Sequence, residues 1–224
     1  MPIDNFFLIN WFFHKLGRKL DPNMFLLTLL LFIPLGLTMD FVHEYGHAFW
    51  GTIAGGKLSH LQVTYLIVYP RLAFTSDFHL GLARVEGLAH GSFEYGLFLL
   101  GGSITTNAVS WVVGLVLLLT NFGEKVRLAL KALGLWGILD LPFYVLFPQI
   151  GLSHWIVIGG NVPEPLLGAR MIGIPDIIFY LLVILSTSSL VLVYIGFFYD
   201  RNDKDRAIGR LMRWFRSQVS AGIS

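Results

Sequence analysis

The chain has 224 residues, of which 55% are hydrophobic and only 13% charged; its net charge is +2 and it contains no cysteine. Soluble domains carry about 25% charged residues, so this composition excludes a disordered chain, a nucleic-acid-binding domain and an ordinary cytosolic enzyme. Without cysteine there are no disulfides, thiolate metal ligands or cysteine nucleophiles, and we expect a protein that resides in the lipid bilayer.

Residues 1–20 carry aromatic side chains followed by basic ones. A cleavable signal peptide has the reverse order, with its basic residues first. We expect this segment to be an aromatic and basic arm that lies in the membrane interface.

Four stretches are long and apolar enough to cross about 30 Å of hydrocarbon as helices. They cover residues 24–54, 95–120, 126–147 and 175–199. Asp21 and Pro22 signal the start of the first stretch, and Pro142 is expected to interrupt the third. The expected fold is an all-α polytopic membrane protein with about four transmembrane helices in a membrane-embedded core over residues 21–199.

Lysine and arginine are concentrated in the arm, in the link after the second span and in residues 200–224. With four spans these segments fall on one side of the membrane. The positive-inside rule then predicts a multi-pass protein of the cell membrane with both termini in the cytoplasm. Residues 200–224 are expected to form a basic amphipathic cytoplasmic tail, and a solvated charged tail is the alternative.

Residues 58–74 differ from the rest of the core. Residues 61–69 are β-branched and aromatic and too short to span as a helix, Pro70 and Arg71 interrupt them, and an extended pattern then resumes. This pattern predicts a short β-hairpin or edge strand beside the first span. Such backbone persists at membrane depth only where it is buried in protein or lines a wet cavity.

The first predicted span contains the sequence His43-Glu44-Tyr45-Gly46-His47. Three ionisable residues within one apolar helix are costly in hydrocarbon and indicate a function. On a helix the two histidines lie one turn apart on the same face, where they can hold one zinc ion. Glu44 is placed to act as a base on metal-activated water. The alternative is a pair of hydrogen-bonded core histidines with Glu44 paired to one of them.

A catalytic zinc site uses three protein ligands and keeps one position open. The third ligand must here be an acid or another histidine, and Asp140 is favoured because it lies inside the third span, which runs parallel to the first. Glu164 and Asp176 lie near span ends and are weaker candidates, and Asp176 is also expected to cap the fourth helix. Asp40 shares a helical face with His43 and is expected either to accept from an imidazole N–H or to face a wet mouth.

Asn107 lies in a polar patch of the second span with Ser103, Thr105 and Thr106. This patch is expected either to bind substrate backbone or to join a partner helix. The other histidines show no ligand spacing and are expected at the surface; they are His14, His60, His79, His90 and His154.

These features together resemble the site-2 protease family of intramembrane zinc metalloproteases. The resemblance covers residues 24–147 and consists of HExxH in the first core span, an extended segment after it and an aspartate in a later parallel span. Asp140 matches the aspartate of the family's LDG sequence, with Leu141 in place of the glycine. The family's GPxxN element is matched loosely by Gly102 and Asn107.

The resemblance implies a zinc metalloendopeptidase that hydrolyses peptide bonds within or near the bilayer. It implies His43, His47 and Asp140 as the ligands of one zinc ion per chain, and Glu44 as the general base. The expected partner is a transmembrane or membrane-associated protein substrate.

We expect the substrate to unwind locally and to pair as a strand with the edge formed by Val63, Tyr65 and Ile67, with Asn107 binding its backbone. Two alternatives stay open. One is a catalytically inactive relative that binds membrane helices. The other is a membrane metal transporter, which is less favoured because the sequence has one site and no internal repeat.

Overall fold

The computed structural model describes residues 22–120, 122–156 and 158–199. The predicted arm over residues 1–20 and the tail over residues 200–224 lie outside this range, as does Asp21. The side of the membrane on which the termini lie therefore stays a prediction.

The described residues form five α-helices and one β-hairpin. In chain order these are α1 (Pro22–Ile53), β1 (Lys57–Tyr69), β2 (Ala73–Glu86), α2 (Phe93–Leu119), α3 (Glu124–Leu146), α4 (Glu164–Met171) and α5 (Asp176–Tyr199). A single 3-10 turn, Pro148–Ile150, follows α3. The short helix α4 lies between the third and fourth predicted spans, where no helix was predicted.

Three helices within the described ranges are long and apolar enough to cross a membrane. They are α2, α3 continued to Ile150, and α5 as far as Phe197, and they correspond to the second, third and fourth predicted spans. The first predicted span forms α1, which has 32 residues. The chain is therefore consistent with a membrane protein that has at least three such helices.

Pro142 lies inside α3 without ending it, so the predicted interruption is wrong. Proline removes one helical hydrogen bond, the one that its N–H would have given to the carbonyl four residues earlier. The residues around it are nevertheless buried against neighbouring helices, among them Ile138, Leu141 and Val145. Tertiary packing therefore keeps the helix continuous to Leu146.

Helix α2 is the centre of the fold and contacts each of the other four helices. Glycines permit two of these contacts. A Cβ on Gly46 of α1 would lie 2.5 Å from the carbonyl oxygen of Gly101. A Cβ on Gly168 of α4 would lie 2.6 Å from the carbonyl oxygen of Gly96. Because only glycine fits at these crossings, α1 and α4 both approach α2 at backbone distance.

The hairpin is antiparallel and longer than predicted, since β2 continues to Glu86. Its register pairs Lys57 with Glu86 at the base and Val63 with Gly81 farther along. Near the base, Val85 lies against Gly51 of α1, and Gly81 lies against Glu44. The hairpin therefore runs back along α1, from the end of that helix towards its N-terminal half.

Candidate metal centre

The two motif histidines converge on one point. His43 and His47 are both buried, and their Nε2 atoms lie 3.0 Å apart. Two nitrogen ligands of a tetrahedral zinc ion lie about 3.4 Å apart when each zinc–nitrogen distance is about 2.0–2.1 Å. The helical spacing therefore brings the two imidazoles to nearly the separation that one ion requires.

Hydrogen bonds on the far side of each ring fix its tautomer. His43 Nδ1 donates to Asp140 Oδ2 at 3.1 Å, and His47 Nδ1 donates to the carbonyl oxygen of Phe98 at 2.6 Å. Since both partners are acceptors, the proton of each neutral ring resides on Nδ1. The two Nε2 lone pairs then face each other and repel. Either a proton or a metal ion is needed between them.

A third donor joins the two histidines from the start of α4. Glu164 Oε2 lies 3.5 Å from His47 Nε2, and the ligand atoms of His43, His47 and Glu164 all lie within 4.8 Å of one another. The Glu164 side chain is 32% exposed, so the group is buried at the two histidines and partly open at the glutamate. Two imidazoles and one carboxylate are a donor set that zinc accepts.

Asp140 meets the histidines, as the sequence predicted, but on the opposite side of the His43 ring. Its Oδ2 atom accepts from His43 Nδ1 and also from Thr106 Oγ1 at 2.7 Å. This is the position of a partner that orients a ligand, which is a common second role for carboxylates at zinc sites. Ligation by Asp140 stays a prediction of the sequence, and the geometry of the described residues favours Glu164.

A glycine keeps the space in front of the histidines open. Gly102 on α2 faces both Nε2 atoms, and a Cβ at that position would collide with His43 and His47. The open space in front of the two Nε2 atoms therefore exists because residue 102 has no side chain. The loose GPxxN resemblance had pointed to Gly102, although not to this position in front of the histidines.

Glu44 lies beside the histidine pair under the hairpin. It is buried, and its carboxyl lies directly against the backbone of Gly81 in β2, where a Cβ would collide with it. The hairpin thus covers the predicted general base, and the absence of a side chain at Gly81 makes that close approach possible.

Two predicted polar residues have other surroundings. Asp40 Oδ2 is buried and has no hydrogen-bond partner, and the two Nδ1 atoms have other acceptors, namely Asp140 and the Phe98 carbonyl oxygen. Asn107 Oδ1 accepts from Ser186 Oγ of α5 at 2.8 Å. Asn107 therefore joins a partner helix, the second of the two expected roles, and it does not reach the histidines.

The predicted substrate strand lies close to the site at one position. Val63 is buried and pairs with Gly81, which touches Glu44. Tyr65 is largely exposed, and Ile67 pairs with Ala73 nearer the hairpin tip. Of the three residues, Val63 is the one brought near Glu44.

His154 was expected at the surface and is in fact buried, with 3% of its area exposed. Its ring stacks on Tyr144 with a centroid distance of 3.8 Å, and Tyr144 packs against His43 at 4.4 Å. The nearby glycines at 159 and 160 were the sequence signal, since the loop closes tightly around the ring there.

A row of aromatic rings leads outward from the histidine pair. Phe98 packs on His47, Tyr95 on Phe98 and the exposed His90 on Tyr95, with centroid distances of 5.2, 5.6 and 4.5 Å. This row therefore connects the buried histidine pair to an exposed residue just before α2.

Comparisons with known proteins add no assignment to this geometry: no family model, no curated protein and no solved structure matches the chain.

Proposed function

We propose that the chain is an intramembrane zinc metalloprotease that hydrolyses peptide bonds of transmembrane or membrane-associated proteins. The observation that carries this proposal is the convergence of two Nε2 lone pairs with a buried glutamate next to them in the chain. A pair of core histidines with no cation between them would leave two lone pairs opposed at 3.0 Å. A buried carboxylate beside them would raise the free energy of that arrangement further.

The residues would act as follows. His43 Nε2, His47 Nε2 and the Glu164 carboxylate would hold the ion and leave one position open. When bound, zinc polarises the scissile carbonyl and makes water acidic enough to lose a proton near neutral pH. Glu44 accepts the proton of the attacking water and gives it to the leaving amine. The peptide bond is thereby replaced by a carboxylic acid and an amine.

The proposal includes α1 as a fourth membrane span. Its 32 residues measure about 48 Å at 1.5 Å per residue, which is enough to cross the hydrocarbon. It packs along α2 and α3, both of which are apolar enough to span. Its outward face is apolar and exposed at Leu30, Ile33 and Leu37, as expected of a helix that faces lipid.

The hairpin would receive the substrate. It lies along α1 at the level of Glu44, and among the described residues its sheet has only two strands, so each strand has one unpaired edge. Lipid cannot supply hydrogen bonds to that backbone. A locally unwound substrate that adds a strand at the level of Val63 and Gly81 would satisfy one edge and bring its peptide bonds near Glu44.

The direct test compares Glu44→Gln with the wild type on single-span substrate proteins in proteoliposomes. We expect the variant to retain zinc and to lose at least about 100-fold in cleavage rate, because it removes the general base. Glu86→Gln, at the exposed end of β2, is the matched control and should cleave normally. Cleavage by Glu44→Gln at the wild-type rate would refute the mechanism.

A further inference from the structure

The loop between α3 and α4 carries a buried polar ring. Its neighbours Ile150, Ile156 and Ile158 are largely exposed, whereas His154 itself is buried. The His154 backbone N–H donates to the Gly160 carbonyl oxygen at 2.9 Å. A Cβ on Gly160 would lie 3.2 Å from His154 Cε1, so the loop closes around the ring with no space to spare. Burial of this kind needs a compensating interaction.

That interaction leads directly to Glu164. His154 Nε2 donates to the carbonyl oxygen of Val162 at 2.7 Å, so the ring carries a proton on Nε2. The same carbonyl oxygen accepts the backbone N–H of Glu164 at 2.7 Å. One acceptor thus joins the His154 ring to the backbone of the candidate third ligand, at the point where α4 begins.

The other face of the ring leads to His43. His154 stacks on Tyr144, with ring planes 29° apart, and Tyr144 packs on His43, with planes 32° apart. His154, Tyr144 and His43 therefore form a column of three rings. His154 therefore contacts Tyr144, which packs on His43, and the Val162 carbonyl, which accepts from the Glu164 backbone. His43 and Glu164 are two of the three candidate ligands. Burial also lowers the pKa of His154, which keeps the ring neutral near neutral pH.

We propose that His154 is a positioning residue of the metal centre, which holds the Glu164 carboxylate in reach of the ion through the Val162 carbonyl. This inference rests on the proposed function. Residues that orient metal ligands typically change metal affinity 10–100-fold when they are removed. Because α4 is only eight residues long and begins at Glu164, its first turn depends on such outside hydrogen bonds.

The test separates the hydrogen bond from the ring stack. His154→Gln keeps an N–H donor of similar reach and loses the ring, whereas His154→Phe keeps the ring and loses the donor. Zinc affinity of the full-length protein in detergent is measured by chelator competition, and Co²⁺ absorption spectra report the geometry of the bound ion. His79→Phe, at an exposed position of β2, is the matched control.

We expect His154→Phe to weaken zinc binding about 10–100-fold and to change the Co²⁺ spectrum, while His154→Gln stays within a few-fold of wild type. If the phenylalanine variant does not fold, His154→Asn replaces it, since its shorter side chain does not reach Val162. Wild-type affinity in the donor-free variant, or equal losses in both variants, would overturn the inference. Absence of zinc from the wild-type protein would instead refute the proposed function.

Discussion

At the scale of single residues, the decisive feature is what each ring nitrogen faces. The Nδ1 atoms of His43 and His47 face Asp140 and the Phe98 carbonyl, so both Nε2 atoms present lone pairs to one point. The sequence spacing predicted a shared face for the two rings, and their convergence agrees with it. It also predicted that Asp140 would meet them. It did not reveal which side of His43 the carboxylate would approach, because that depends on how α3 packs against α1.

Comparing substitutions of Glu164 and Asp140 tests which of the two carboxylates is the third zinc ligand. Glu164→Gln should lower zinc affinity by more than about 100-fold, because it weakens a ligand, whereas Asp140→Asn should lower it only about 10-fold, within the range for an orienting partner. The two amide substitutions are matched in size and charge, and zinc affinity is measured by chelator competition. The reverse order would make Asp140 the ligand, as the sequence alone predicted.

Adding a methyl group at Gly102 tests whether the ion occupies the open space in front of the two histidines. Its Cβ would collide with the Nε2 atoms of His43 and His47, so Gly102→Ala should remove zinc from the purified protein while the helices remain folded. Gly114→Ala on the same helix is the control, because its Cβ would meet only ordinary contacts, the nearest at 3.5 Å from Tyr194. Full zinc content in Gly102→Ala, by elemental analysis, would show that the ion does not bind there.

At the scale of elements, long apolar stretches were predictable and short connecting ones were not. The bounds of α1, α2 and α5 agree with the sequence to within two residues, because length and hydropathy determine them. Helix α4 was missed because its eight residues are fixed by the close crossing at Gly96 and Gly168 and not by a periodic apolar face. The one local signal was Pro165, a residue favoured in the first turn of a helix.

The position of the hairpin over Glu44 can be tested at Gly81. Gly81→Ala should slow substrate cleavage at least about 10-fold while zinc content is unchanged, since the new Cβ would push β2 away from the Glu44 carboxyl and misplace the substrate. Gly123→Ala, which adds a Cβ with nothing within 4 Å, is the control. A loss of zinc in Gly81→Ala, or an unchanged cleavage rate, would contradict the proposed role of the hairpin.

At the scale of the whole molecule, the ends of α2 should lie on opposite sides of the bilayer. The chain has no cysteine, so single cysteines report their side without background. His90→Cys should react with an impermeant maleimide added outside intact cells, and Gly123→Cys should react only after permeabilisation, because the basic link is expected in the cytoplasm. Labelling of both from one side would show that α2 does not cross, and the reverse pattern would invert the topology.

The proposed metal centre holds one zinc ion between His43 and His47. X-ray absorption at the zinc edge of the purified full-length protein tests it most directly. We predict one zinc per chain, with two imidazole nitrogens at about 2.0–2.1 Å and the remaining ligands oxygen, and loss of the imidazole signal in His47→Ala. Zinc-free protein, or bound zinc whose spectrum is unaffected by that substitution, would contradict it.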